Sequence, residues 1–160
     1  MKNQRMQNWW RHAVSRTMAY AVVCAITLGF DATGVRSEIR SPDSLTAEFT
    51  ICGERRRVNC VVDGDTFWFE RQKIRIADID APELSPPRCA CEREKGETAK
   101  RRLQELLNAG AFSLSSKDRD KDRYGRMLRV VTRSGRSIGA VLVKEDLARP
   151  WGGVRRPWCY

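Results

Sequence analysis

The chain has 160 residues, the size of one ordinary domain with a tail, which excludes two independent hydrophobic cores. Lysine and arginine outnumber aspartate and glutamate by 30 to 20, and four of those bases precede residue 31, where there is no acid. The surplus left in the remainder draws a folded domain toward phosphate backbones or anionic membranes and excludes neither.

Residues 1–30 read as an export signal. Lys2, Arg5, Arg11 and Arg16 form a basic region, followed by an uncharged, mostly apolar run over residues 17–30. That run is shorter than the roughly 20 apolar residues a transmembrane helix needs, so a cleaved signal is favoured over an uncleaved membrane anchor. Either way the remainder is expected outside the cytoplasm, secreted or periplasmic, or held at the membrane facing outward. Residues 31–46 are polar, without sustained periodicity, and read as a linker. A single folded domain is expected over residues 47–160.

From residue 48 onward the pattern turns to short runs rich in Val, Ile, Phe and Trp, which predict strands over 49–52, 58–62, 66–70 and 73–79. Asp63-Gly64 joins the second to the third, with the glycine expected at positive φ, and Arg71-Gln72 joins the third to the fourth. Residues 81–91, with Pro82, Pro86 and Pro87, must be a loop. A helix follows over 92–108, with Ala99, Leu103, Leu106 and Leu107 on one face and Gly110 as its stop. Two more strands are expected over 112–116 and 127–132, separated by a charged loop, 117–126. A second helix is expected over 137–147. This pattern is mainly β with helices and suits an OB-type fold, a five-stranded Greek-key β-barrel with two packed α-helices.

In an oxidising compartment the five cysteines outside the signal would pair. Cys52 and Cys60 flank a short basic loop and form the favoured bridge; Cys159 has either Cys89 or Cys91 as its partner, leaving one thiol over. A zinc site is disfavoured, because Cys89-x-Cys91 lacks zinc spacing and the only histidine, His12, lies in the signal.

Within about twenty residues the chain places Asp63, Asp65, Arg75, Asp80 and Glu83 at strand ends or in the loops between them. Carboxylates so gathered make a hard-oxygen site suited to calcium or magnesium. A phosphodiester is anionic, and water attacks it only when the added charge of the five-coordinate transition state is neutralised, which a divalent cation and two guanidiniums can do. Asp122-Arg123-Tyr124-Gly125-Arg126 is the second basic element, a turn before a strand. Asp78 adds a carboxylate near Asp80, read as solvated or as an outer influence on a metal.

Three stretches, Val62-Asp63-Gly64-Asp65-Thr66, Arg75-Ile76 leading into Ile79-Asp80-Ala81-Pro82-Glu83, and Asp122-Arg123-Tyr124-Gly125-Arg126-Met127-Leu128, resemble in order and spacing the signature blocks of the staphylococcal nuclease (thermonuclease) family. The resemblance runs from about residue 59 to 151. It implies an OB-type barrel and calcium-dependent hydrolysis of DNA and RNA to products bearing a 3′-phosphate. It implies calcium held by the carboxylates of Asp65 and Asp80 and the backbone carbonyl of Ala81, with Asp63 close by through water. Glu83 matches the general base, Arg75 and Arg126 the arginines on the scissile phosphate, and Tyr124 a residue lining the nucleotide pocket. The implied partner is DNA or RNA, acted on by a monomer with no obligate protein partner.

The chain departs from the family in four places. Ala81 stands where the best-known member has threonine, Asp78 is added, Asp146 occupies a position often held by glycine, and the chain stops at Tyr160 without room for the third helix of that best-known member. A bridge from Cys159 to the Cys89 and Cys91 loop, with Trp151 and Trp158 packing over the barrel, is expected to take that helix's place. The rival reading is a non-catalytic OB-fold nucleic-acid-binding module, which would lack some of Asp65, Arg75, Asp80, Glu83 and Arg126; all five are present.

Overall fold

A computed structural model of the protein describes residues 43–54, 56–154 and 156–159. The expected signal or anchor, 1–30, and most of the expected linker lie outside the described residues. Among the described residues no helix is long and apolar enough to cross a membrane.

Among the described residues nine short strands and two helices follow in chain order: β1 (Thr50–Ile51), β2 (Cys60–Asp63), β3 (Thr66–Phe69), β4 (Gln72–Ile76), β5 (Ile79–Asp80), α1 (Ala90–Asn108), β6 (Ser113–Lys121), β7 (Met127–Arg133), β8 (Arg136–Ser137), α2 (Ile138–Lys144) and β9 (Arg149–Pro150). Seven strands share one mixed sheet in the order β1-β2-β3-β4-β7-β6, with β8 on β7, and β5 pairs with β9 in a separate ribbon. The expectation of a β-rich fold with two packed helices is met in part: the strands are more numerous and shorter than the five expected, and the sheet is an open path rather than a closed barrel. Among the described residues one isolated antiparallel bridge, Leu45 with Phe112, joins the segment before β1 to the residue before β6.

The core explains the arrangement. Alternation along β3 turns Phe67 and Phe69 inward and leaves Trp68 half-buried. Their rings meet Phe49 and Phe112 with centroids 5.5–6.1 Å apart, an aromatic cluster with edge-on and stacked pairs. Against it α1 lays Ala99, Leu103 and Leu107, the face its periodicity predicted.

Several boundaries differ for identifiable reasons. The β3–β4 turn is Glu70-Arg71, both at positive φ (48° and 67°), one residue earlier than predicted. β6 runs on through the charged, exposed stretch to Lys121, where a loop was expected; Ser113–Ser116 and Lys121 pair with β7, with an irregularity between them. α2 stops at Lys144 in a closing turn: the amide of Leu147 donates to the Leu142 carbonyl at 2.9 Å and that of Asp146 to Val143 at 3.1 Å, with Asp146 at φ 57°. The left-handed backbone there accounts for glycine being usual, and aspartate tolerates it.

Gly64 differs in another way. It does not adopt positive φ; a Cβ on it would fall 2.7 Å from the Ala99 Cβ and 2.8 Å from the Ala81 Cβ, so it is the close approach of α1 and the 81 loop that requires glycine.

Two disulfides form, Cys52–Cys60 and Cys89–Cys159, leaving Cys91 as an exposed free thiol. The second bridge ties the tail to the residue that caps α1: Cys89 precedes the helix and its sulfur accepts from the Glu92 amide. Trp158 is buried and stacks beneath the Arg149 guanidinium at 3.5 Å, while Trp151 stays half exposed.

Candidate active site

Strand β4 delivers Arg75 to the inside of the sheet, in register with Thr66 of β3, and only 7% of the residue is exposed. Its Nη1 donates to the carbonyls of Ile76 (2.8 Å) and Ile79 (3.0 Å) and forms an ion pair with Asp65 Oδ2 at 2.9 Å, and its Nη2 donates to Asp80 Oδ1 (3.3 Å). One guanidinium thus gathers two carboxylates from different segments and fixes the chain between β4 and β5. Asp65 is further held by Thr66 Oγ1 (2.9 Å) on one oxygen and by the Ala81 amide (2.9 Å) on the other. Its own amide donates to Asp63 Oδ1 at 3.1 Å, which brings the third aspartate alongside.

Burial pushes the Asp65 carboxyl up to about 7; the Arg75 charge pulls it down and the Asp63 charge pushes it further up. Two carboxylates, Asp65 and Asp80, therefore share the Arg75 guanidinium, with Asp63 alongside Asp65. The donors gathered here are hard carboxylate oxygens, the kind that calcium or magnesium takes. Among the described residues no three acidic, imidazole or thiol groups stand close enough to form a complete metal cage. The two carboxylates that meet at Arg75 are those of Asp65 and Asp80. The Ala81 group seen engaged is its amide.

The second half of the site is the β6–β7 turn. Asp122 organises it: Oδ1 accepts from the amides of Tyr124 (2.9 Å) and Arg126 (3.0 Å), and Oδ2 accepts from Arg126 Nε at 2.6 Å. Gly125 supplies the positive φ, 76°, that this turn requires. Burial works against the charge on Asp122, but the bonds from Arg126 and Tyr124 outweigh it and hold its carboxyl below the usual range. Tyr124 is 68% exposed, with the guanidiniums of Arg123 and Arg126 over its ring at 4.8 and 5.5 Å. Arg75, Tyr124, Arg126 and Trp151 line one open groove of about 560 Å³, and Trp151 lies 5.2 Å from the Arg75 guanidinium.

Of the residues singled out in the sequence, Asp63, Asp65, Arg75, Asp80 and Ala81 come together in the acidic half, and Arg75, Tyr124 and Arg126 share the groove. Arg75 belongs to both. Glu83 is exposed and turned toward its own loop, where Oε1 accepts from the amides of Leu84 and Ser85 at 3.0 Å each. Asp78 is neither solvated nor shown beside a metal site. Its Oδ2 accepts from Ser137 Oγ at 2.6 Å, the residue that caps α2, its backbone carbonyl accepts from the Trp151 amide, and its Oδ1 is buried without a partner. Asp122 and Trp151 had been assigned no part in the site. The i, i+4 spacing of Asp122 and Arg126 was the available signal for the first; the second depends on the β5–β9 pairing, which nothing local announces.

The family model described as staphylococcal nuclease homologue matches residues 73–156. That stretch includes Arg75, Asp80, Glu83 and Arg126 and begins after Asp63 and Asp65. The chain is 37% identical over 93 residues to the endonuclease YncB of Bacillus subtilis, covering 55% of this chain and 44% of that protein. It is 39% identical over 93 residues to the SPbeta prophage-derived endonuclease YokF of the same organism, covering 55% and 31%. An uncharacterized endonuclease of Haemophilus influenzae is 34% identical over 97 residues, covering 58% and 49%. The chain spans less than half the length of each of these relatives.

Proposed function

The chain belongs to the staphylococcal nuclease homologue family, and from that premise we propose that it is a calcium-dependent nuclease hydrolysing the phosphodiester bonds of DNA, RNA or both to products with a 3′-phosphate. The observation that carries this reading is Arg75. It holds Asp65 and Asp80 together on one side and lines the groove of Arg126 and Tyr124 on the other, so acid and base lie at the two ends of one guanidinium.

In this reading Asp65 and Asp80, with the Ala81 carbonyl and with Asp63 through water, hold the cation. Calcium, when bound, supplies charge against the developing negative phosphate oxygens. Arg126 has its Nε committed to Asp122, which leaves its two Nη groups to pair with phosphate oxygens in the planar fashion that suits guanidinium. Arg75, with Nη1 committed to protein acceptors, has Nε and part of Nη2 left for the same phosphate. Tyr124 offers an exposed ring on which a base can stack. Glu83 orients the attacking water and takes its proton once its carboxylate leaves the Leu84 and Ser85 amides. The five-stranded OB barrel belongs to this reading as well; the open mixed sheet with two helices is compatible with it. Placement outside the cytoplasm is supported by the two disulfides.

The test is digestion of DNA and RNA by the purified full-length chain with calcium, in chelator, and with Glu83→Ala and Arg126→Ala. Expected is hydrolysis that chelator abolishes and that each substitution lowers by about a hundredfold or more. Undiminished hydrolysis in excess chelator would overturn the metal assignment. The orientation of Glu83 favours a second reading, a nucleic-acid-binding module without turnover, which predicts binding but no products under any divalent cation.

A further inference from the structure

Glu92 is a buried acid with no evident task in the reaction. It stands in the first turn of α1 with 1% of its surface exposed, and among the described residues it makes no ion pair. An uncompensated carboxylate in such a place is costly unless its oxygens are fully used. Both are used on one loop. Oε2 accepts from the Arg88 amide at 2.7 Å, and Oε1 accepts from the Glu83 amide at 3.4 Å.

The face of α1 that carries Glu92 is built to lie on that loop. Gly96, one turn further on, leaves so little room that a Cβ there would fall 2.8 Å from Leu84 Cδ2 and 3.1 Å from the Pro82 carbonyl. Ala99, on the same face, meets the turn at Gly64 that carries Asp63 and Asp65. Two carboxylates thus divide the loop's amides: Glu92 takes the outer pair, at residues 83 and 88, and Glu83 takes the inner pair, at 84 and 85.

We infer that Glu92 is a positioning residue that keeps the 83–88 loop in shape while the Glu83 carboxylate leaves the inner amides and turns to the substrate. The inference rests on the role given to Glu83 above. An acid is needed at residue 92 because both of its partners are donors. Glutamine would present one acceptor oxygen and one NH₂ group, and the latter would face an N–H.

The experiment is a double-mutant cycle of Glu83→Ala and Glu92→Gln in the full chain, with kcat and KM on one DNA oligonucleotide at saturating calcium, calcium affinity by calorimetry, and amide exchange at Glu83 and Arg88. Expected for Glu92→Gln alone is a fall in kcat of about tenfold, KM and calcium affinity near those of the parent, and faster exchange at Glu83 or Arg88. In the Glu83→Ala background the same change should lower kcat no further. An equal fall in both backgrounds, or an unchanged kcat in the parent, would overturn the inference while leaving the role of Glu83 intact. An unchanged kcat for Glu83→Ala alone would remove that role and the inference together. Should Glu92→Gln not fold, Gly96→Ala presses on the loop from the same helix face and is expected to give the same cycle.

Discussion

In the candidate site Asp65 and Asp122 each hold an arginine, and they do so in different settings. Asp65 and Arg75 meet at 2.9 Å with side chains 9% and 8% exposed, brought together across the β3–β4 pair. Asp122 and Arg126 meet at 2.6 Å within a single turn, with side chains 12% and 24% exposed. Burial raises the carboxyl of the first, whereas in the second the hydrogen bonds outweigh burial and lower it. The difference separates two jobs. The inner pair is part of what holds β4, β5 and the 81 loop together, so damage to it is damage to the fold. The outer pair orients one guanidinium at the edge of a groove, so damage to it should appear mainly in substrate handling.

Arg75→Ala is the strongest way to break that contrast. It would strand Asp65 without its cation and leave the Ile76 and Ile79 carbonyls unpaired, and a loss of about 3–5 kcal/mol is expected in urea unfolding. Arg75→Ala unfolding at the parental urea midpoint would mean the inner pair is not structural. Gly64→Ala should come next, at about 1–3 kcal/mol, because the new methyl overlaps Ala99 and Ala81 at the point where α1 supports the acidic turn. The same urea titration measures it, and calcium affinity should fall with it.

Asp122→Ala sharpens the contrast from the other side. Stability is expected to change by about 1 kcal/mol or less, while kcat/KM falls by about tenfold or more as Arg126 loses its bond to a charged partner; an unaltered kcat/KM would show that Arg126 needs no clamp. The smallest effect belongs to Asp43, held below the usual carboxylate range first by the Ser134 amide, then by the Ser113 hydroxyl. A depressed folded-state value stabilises above the ordinary carboxylate range and is lost as pH falls through the folded value. Asp43→Asn should therefore lower Tm slightly at neutral pH and make no difference in strong acid.

The same division decides what could be read from the residues alone. The outer half is local: Asp122 through Arg126 is five consecutive residues, and the turn, its glycine and its tyrosine all stand in view. The helical face of Ala99, Leu103 and Leu107 was legible for the same reason. The inner half depends on segments that meet only after folding. Nothing near Gly64 announces that Ala99 will press on it, and nothing near Glu92 announces the amides of Glu83 and Arg88. The choice of Cys89 over Cys91 as partner of Cys159 likewise depends on where the tail arrives. The charged stretch of β6 failed in the opposite sense. Its composition reads as loop, yet β6 runs through it and meets β7 again at Lys121, opposite Met127, beyond an irregularity after Ser116.

The Cys89–Cys159 bridge has a mechanical consequence. If the molecule were pulled from a point before residue 89 and from its tail, the load would pass through the sulfur link and bypass the chain between the two cysteines, which stand 70 residues apart in sequence. Helix α1, the β6–β7 ribbon with Tyr124 and Arg126, and α2 would carry no tension. Strands β1 to β5 would yield first, and adding a reductant would lengthen the extension by the contour of the shielded segment.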